Sequence, residues 1–313
     1  MKSNKLSNLK VRNEFANLMY EIGKKDSKLV VLVGDISHGI LDQFRNSFPE
    51  RYYNIGILEP SMVNISAGLS KLGLRPVIHT IAPFLIERSY EQIKLDFGYQ
   101  NLPVNIISVG GSFDYSKLGC SHHCYTDVSL MSHFKNSIVI TPGSNIEFRE
   151  LFKQIYKGST INYFRLPENS HDVKFNPKDI KLGKSIKIKS GKDITLITHG
   201  GMLRHAQKAA ELCKKEKINV ELIYCHTLKP FDSKTLVKSL KKTKKLISVE
   251  DLSMHDGLFN LCTKSIANVE IKNIKLKQLA IEDFIHDYGS FDDLCKKAKI
   301  DYMNIYKQIK KMI

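Results

Sequence analysis

The 313-residue chain is 42% hydrophobic and 26% charged, ordinary values for a globular protein and long enough for about two domains with a core each. Its 48 lysines and arginines against 32 acids give a net charge of +16, but they are spread along helix faces and loops, as in Lys214-Lys215-Glu216-Lys217 and Lys241-Lys242-Thr243-Lys244-Lys245. Without interleaved aromatics or a recognisable binding module, this pattern argues against nucleic acid as a partner.

Taken in order, Phe15, Leu18, Met19 and Ile22 stand at helical spacing and predict a first helix over Val11 to Ile22. The apolar run Leu29 to Val33, ending in Gly34-Asp35, reads as a buried parallel strand with a loop at its carboxyl end. Asp35, Ser37 and His38 lie in that loop and face a ligand, or Asp35 simply caps a turn. In Asn54-Ile55-Gly56-Ile57-Leu58-Glu59-Pro60-Ser61-Met62, Glu59 is the only acid. A residue before proline is pushed out of the α region, and proline suits the first helical turn, so Glu59 marks a strand-to-helix junction. Parallel α/β sheets keep their ligand sites there. Ile55, Ile57, Leu58 and Met62 are expected to desolvate the carboxyl and favour its protonated form; the plainer reading is a helix-start acid favoured by the helix dipole.

Strands are predicted at Pro76 to Thr80, Val104 to Val109, Ile138 to Ile140 and Asn162 to Arg165, with helices over Glu87 to Tyr99 and Ile146 to Tyr156. From Glu168 to Lys192 the pattern lapses into prolines, asparagines and lysines, which reads as a linker with room for one short hairpin. A second alternation runs from Ile194 through helices Met202 to Lys214 and Ser233 to Lys241 to a last strand at Leu276 to Ile281. The whole predicts an α/β chain of mainly parallel sheets with helices on both faces. No run of about 18 apolar residues offers a membrane span, and the start Met1-Lys2-Ser3-Asn4-Lys5 leads into an amphipathic pattern, so the chain reads as soluble and cytoplasmic. Six scattered cysteines make no disulfide framework. Cys120-Ser121-His122-His123-Cys124 lacks the second ligand pair of a zinc site, so no metal site is expected.

The run from Gly56 to Leu69 (GILEPSMVNISAGL), followed by Thr80-Ile81-Ala82-Pro83-Phe84-Leu85 and Gly119-Cys120-Ser121-His122-His123, resembles the thiamine-diphosphate-dependent transketolase family. The likeness is to that family's C-terminal section, a pyrimidine-binding domain plus a C-terminal domain. It implies two three-layer α/β/α domains, residues 1–168 and 193–313, joined by the linker 169–192.

The resemblance also implies roles. Glu59 would hydrogen-bond the cofactor's pyrimidine nitrogen and drive the imino tautomer that activates the thiazolium. Phe84, otherwise an ordinary core ring, would stack on the aminopyrimidine. Ile81 stands beside it where many transketolases carry a second aromatic, and Asp35 lies on the cofactor side. His122 would face the cofactor's amino group and the donor sugar as a catalytic proton carrier, with Ser37 and His38 near the substrate. Arg165 would hold a substrate phosphate with its planar fork, or else make a surface salt bridge. His226 and Gly257 match structural positions of the C-terminal domain. Leu118 stands where sugar-phosphate transketolases have an aspartate that reads a substrate hydroxyl.

No Gly-Asp-Gly…Asn motif for Mg²⁺ and diphosphate occurs here; Gly34-Asp35-Ile36 lacks the second glycine. The expected role is therefore the small subunit of a split transketolase, moving a two-carbon ketol unit from a ketose phosphate to an aldehyde. An N-terminal-section partner would hold Mg²⁺ and the diphosphate, in a heterotetramer built on a homodimer of this chain. The alternatives are a β subunit of a thiamine-dependent 2-oxo-acid dehydrogenase or decarboxylase, and a non-catalytic partner subunit.

Overall fold

A computed structural model describes residues 10–313 except Asn268. Its first six strands are β1 (Leu29–Val33), β2 (Tyr52–Asn54), β3 (Arg75–Ile81), β4 (Val104–Val109), β5 (Ser137–Ile140) and β6 (Ile161–Arg165). The other six are β7 (Ile186–Lys189), β8 (Ile194–His199), β9 (Val220–Cys225), β10 (Thr227–Lys229), β11 (Lys245–Ser253) and β12 (Lys275–Ile281). They form a seven-stranded sheet ordered β10-β5-β6-β4-β3-β1-β2 and a five-stranded sheet ordered β12-β11-β8-β9-β7. Within each sheet every pairing is parallel except those of β10 with β5 and β7 with β9. The two α/β halves expected from the alternation are therefore present.

The apolar runs explain the architecture. Strands β1, β4, β6, β8 and β9 are buried along their whole length, as parallel strands covered on both faces must be. On one face of the first sheet, helices Val11–Gly23 and Asn145–Ile155 pack Phe15, Leu18, Phe148 and Phe152 against Val31, Ile107 and Phe164. Helix Glu59–Lys71 and a helical segment of π, α and π turns from Pro83 to Tyr99 cover the other face with Met62, Val63, Leu85, Ile93 and Phe97.

Two elements depart from the expected plan. Strand β7 lies inside the segment read as a linker, so the second sheet begins within 169–192. Ile186-Lys187-Ile188-Lys189 alternates apolar and charged residues, a pattern suited to an edge strand whose lysines discourage further pairing. Strand β10 leaves the second half of the chain to close the edge of the first sheet, with Thr227 opposite Ile140 and Lys229 opposite Val139. Leu228 thereby joins a core that runs from Val139 and Tyr163 of the first sheet to Ile197 and Ile223 of the second. Among the described residues no helix is long and apolar enough to cross a membrane.

The Lys229 ammonium anchors β10. It donates to the carbonyl of Ser132 and the hydroxyl of Ser137, both at 3.0 Å, and to the carbonyl of Phe134. Hydrogen bonds from a charged donor contribute about 1.5–3 kcal/mol in favourable cases. Lys229→Ala is therefore expected to lose about 2 kcal/mol of stability, read as a lower urea midpoint; an unchanged midpoint would show that the strand is held by its apolar contacts alone.

Candidate active site

The carboxyl ends of β1, β2, β3 and β4 open onto one edge of the first sheet, and the candidate residues gather there. Glu59 is the first residue of its helix, with Pro60 in the first turn and Gly56 upstream at φ +77°, the strand-to-helix junction anticipated from the Glu-Pro pair. Its carboxylate is almost entirely buried at 2% exposure. The expected desolvation by Ile57 and Leu58 is not how this comes about, because both side chains point into solvent at 69% and 57% exposure. Glu59 is instead closed in by the fold, with its neighbour Met62 fully buried, and by a cation from across the site. Arg88 Nη1 donates to Glu59 Oε2 at 2.9 Å.

Arg88 completes an arrangement that sequence reading missed. Its guanidinium carbon lies 4.3 Å from the centroid of the half-buried Phe84 ring, a stacking distance for a planar cation on an aromatic face. The Phe84 ring also meets His122 edge to face, with centroids 5.2 Å apart and planes at 77°. Glu59, Arg88, Phe84 and His122 thus form one chain of contacts. Glu87, next to Arg88, accepts hydrogen bonds from Thr126 Oγ1 at 2.6 Å and Cys124 Sγ at 3.3 Å, and burial raises its carboxyl above the ordinary range. This ties the Pro83–Tyr99 segment to the loop that carries His122.

That loop is pinned by paired backbone bonds between Ser112 and Cys124, of 2.6 and 2.7 Å. Ser121 Oγ lies 3.0 Å from His122 Nδ1. Ile81 ends β3 beside Gly110, and the ring of Tyr115 packs against the same glycine and within 6.4 Å of His122. Tyr115 therefore brings an aromatic near the place where Ile81 lacks one. Leu118 is exposed in the same loop.

Asp35 is also placed at this edge. Its N–H donates to Asn54 Oδ1 at 3.0 Å, Asn54 Nδ2 returns a bond to Asp35 Oδ1 at 3.1 Å, and the same Asn54 oxygen accepts from Gly56 N–H. Asn54 thereby ties the Asp35 loop to the turn that leads into Glu59. His38 is exposed and approaches Asp35 Oδ1 at 3.3 Å. Ser37 corrects its expectation. It is buried, its hydroxyl lies 2.8 Å from His79 Nε2 and accepts from Arg12 Nε at 3.1 Å. Burial lowers His79 to about 3, and its Nδ1 meets the Ile107 carbonyl at 2.9 Å. A neutral ring that donates through Nδ1 accepts the hydrogen bond of the Ser37 hydroxyl at Nε2, so the buried Ser37 is engaged within the fold.

Arg165 requires a second correction. It is 5% exposed, with Nε 3.1 Å from Asp127 Oδ2, Nη1 3.1 Å from Asp251 Oδ1 and Nη2 3.3 Å from the Asp251 carbonyl. Each of its nitrogens has a protein acceptor, so the fork expected to grip a phosphate is occupied by the protein itself. Gly111 lets it lie there, since a Cβ at that position would stand 2.1 Å from Arg165 Nε. Burial works against ionisation of Asp251, but Arg165 and His199 prevail and hold it well below the usual carboxylate range. Asp114 has lost more water than it has gained in charge and is pushed up to about 7.

With this geometry in view, comparison with known proteins is decisive for the family. Residues 7–172 match the family described as transketolase, pyrimidine binding domain, and residues 183–305 match transketolase, C-terminal domain. This chain belongs to the transketolase family. It is 29% identical to a "Putative transketolase C-terminal section" of Methanocaldococcus jannaschii, over 96% of this chain and 95% of that protein. It is 26% identical to the 1-deoxy-D-xylulose-5-phosphate synthase of Halothermothrix orenii, where it spans 99% of its own length but 49% of the relative. A solved structure described as "Split gene transketolase, inactive beta4 tetramer" superposes with a TM-score of 0.88 at 26% identity, covering 97% of this chain and 98% of that one.

Glu59, Phe84 and His122 stand together, Asp35 and Ile81 border them, and Ser37 and Arg165 are engaged by protein partners. Removing one partner of a buried ion pair costs about 3–5 kcal/mol because the other charge is left uncompensated. Arg165→Met is expected to lower the urea midpoint at pH 7 by that order. Because Asp251 is depressed in the folded state, its contribution is fully present above the ordinary aspartate range near about 4 and is lost progressively as pH falls from there through its lower folded-state value. The gap between wild type and variant should therefore narrow on acidification, and a gap that stayed constant down to pH about 3 would contradict this account.

Proposed function

We propose that this chain is the pyrimidine-side subunit of a split transketolase. In this reading it transfers a two-carbon ketol unit from a ketose phosphate to an aldehyde acceptor, with thiamine diphosphate shared with an N-terminal-section partner that holds Mg²⁺ and the diphosphate. The observation that carries the reading is the placement of the Arg88 guanidinium. A flat, nitrogen-bearing group lies on the Phe84 face and donates a hydrogen bond to Glu59 at the same time, and these are the two contacts an aminopyrimidine protonated on its ring nitrogen would make. The residues present therefore fit the group.

The cofactor, when bound, supplies the electron sink for cleavage of the bond next to the donor carbonyl. The residues of this chain bind, orient and move protons. Phe84 offers the stacking face, with Ile81 at its border. Glu59, buried and reached by a single cation, is the group that exchanges a proton with a ring nitrogen. His122 stands against the edge of Phe84, where it can carry a proton to or from the donor sugar. Asp35 and Asn54 brace the turn before Glu59, and His38 borders the opening. The donor's phosphate is not held by Arg165, which is committed elsewhere.

The surface supports a partner on this side of the molecule. Ile57 and Leu58 at the mouth of the site, together with Ile65, Leu72, Leu95 and Tyr99 on the adjoining helical segments, are large apolar side chains exposed to water. Such a face suits a subunit interface, in keeping with a heterotetramer built on a homodimer.

Two measurements test the proposal. The isolated chain should bind thiamine diphosphate weakly in calorimetry even with Mg²⁺, and tight binding would remove the need for a partner. In the reconstituted complex, Glu59→Gln keeps the shape but cannot cycle the proton, and loss of one general acid or base slows a reaction about 10²–10⁴-fold. Exchange of the thiazolium C2 proton for deuterium, followed without any sugar, should slow by that order. Exchange at the wild-type rate would reduce Glu59 to a helix-start acid.

A further inference from the structure

Outside the Glu59 cluster, helix Leu203–Lys215 faces the short helix Phe291–Lys297 in the second half of the chain. His205 lies in the first turn of the longer helix. Asp292 and Cys295, three residues apart, share one face of the shorter one. The ligand-capable atoms of His205, Asp292 and Cys295 all lie within 4.8 Å of one another. His205 is 4% exposed, yet neither of its ring nitrogens has a hydrogen-bond partner. Its Nε2 approaches Asp292 Oδ1 at 3.2 Å without the geometry of a bond. A buried imidazole with two idle nitrogens is costly and calls for an explanation.

We propose that His205, Asp292 and Cys295 bind one divalent transition metal ion, zinc by preference. A nitrogen, a thiolate sulfur and a carboxylate oxygen form a donor set that suits a borderline-soft ion and excludes magnesium and calcium. Three protein ligands leave the fourth tetrahedral position to water. Bond lengths of about 2.0–2.3 Å place the ligand atoms roughly 3.3–3.8 Å apart, so the side chains need shift by only about 1 Å.

The groups around the site agree with this use. Cys295 is fully buried, and its thiol proton must leave as the metal–sulfur bond forms. Arg204 pairs with Asp292 Oδ1, the same oxygen that His205 Nε2 approaches, and so fixes the carboxylate beside the imidazole. The cation of Arg204 is offset by Asp301, which is 3% exposed and adds negative charge beside both His205 and Cys295. An ion here would fasten the helix Phe291–Lys297 to the body of the second domain.

The test uses the full chain freed of metal by chelation and titrated with Co²⁺, then Zn²⁺. One equivalent of cobalt should give a thiolate-to-metal charge-transfer band, and one equivalent of zinc should abolish it. Cys295→Ser should lack the band, whereas Cys120→Ser, at the exposed cysteine, should retain it. Asp292→Ala changes a half-exposed side chain and should bind cobalt at least about tenfold more weakly. If Cys295→Ser does not fold, the Asp292→Ala affinity decides alone. No band in the wild-type chain, a band that follows Cys120, or an Asp292→Ala variant with undiminished affinity would each overturn the proposal.

Discussion

A guanidinium shut away from water must find its anions inside the protein, and Arg165 finds them on both sides of the boundary between the two sheets. Asp127 begins a helix of the first half, while Asp251 lies on β11 of the second. Each half supplies one carboxylate to this charge, so the buried ion cluster helps to fix how the halves dock. Arg165 Nη2 also points at the Cys124 carbonyl at 3.5 Å, and Cys124 is the residue whose backbone pins the loop to Ser112. The position of His122 therefore depends on contacts that begin at the domain boundary.

The same logic of satisfied charge explains why the catalytic candidates form so small a cluster. Glu59 must be buried to be shielded from bulk water, and a buried carboxylate needs a donor. Arg88 supplies it from the Pro83–Tyr99 segment, and Glu87 anchors that segment to the His122 loop. Three stretches distant in the chain are thus held to one another by polar contacts around the Phe84 ring.

Much of the fold was legible before the structure. Unbroken apolar runs such as Leu29 to Val33 and Val104 to Val109 can be buried only between two helical layers, and Glu59-Pro60 announced a helix start at the end of a strand. A local rule or the family likeness singled out Glu59, Phe84 and His122, which the fold brings into one chain of contacts. Arg88 was missed because its partner Glu59 lies 29 residues away in another helix, so no local spacing joins the two. Ile57 and Leu58 were expected inside because they are apolar, but apolar residues at a loop beside an opening need not be buried by their own chain. Arg165 and Ser37 were assigned outward roles because an arginine or a serine at a strand end shows nothing of the Asp127, Asp251 or His79 that meets it from far along the chain. His205 and Cys295 are separated by most of the second domain and obey no ligand spacing, so only folding brings them together.

Strand β10 has a bearing on how the molecule is made. During synthesis the first sheet cannot be completed when its own six strands have left the ribosome, because its last edge is supplied by residues 227–229. Until they arrive, β5 presents an unpaired row of backbone groups, a known invitation to association with other nascent chains. The second sheet's strands β8 and β9 precede that closing piece, so the chain must build part of its later domain before its earlier one is finished. Cutting the protein at the apparent linker would leave a first half that lacks an edge, and the two domains are better regarded as a single unit of biosynthesis.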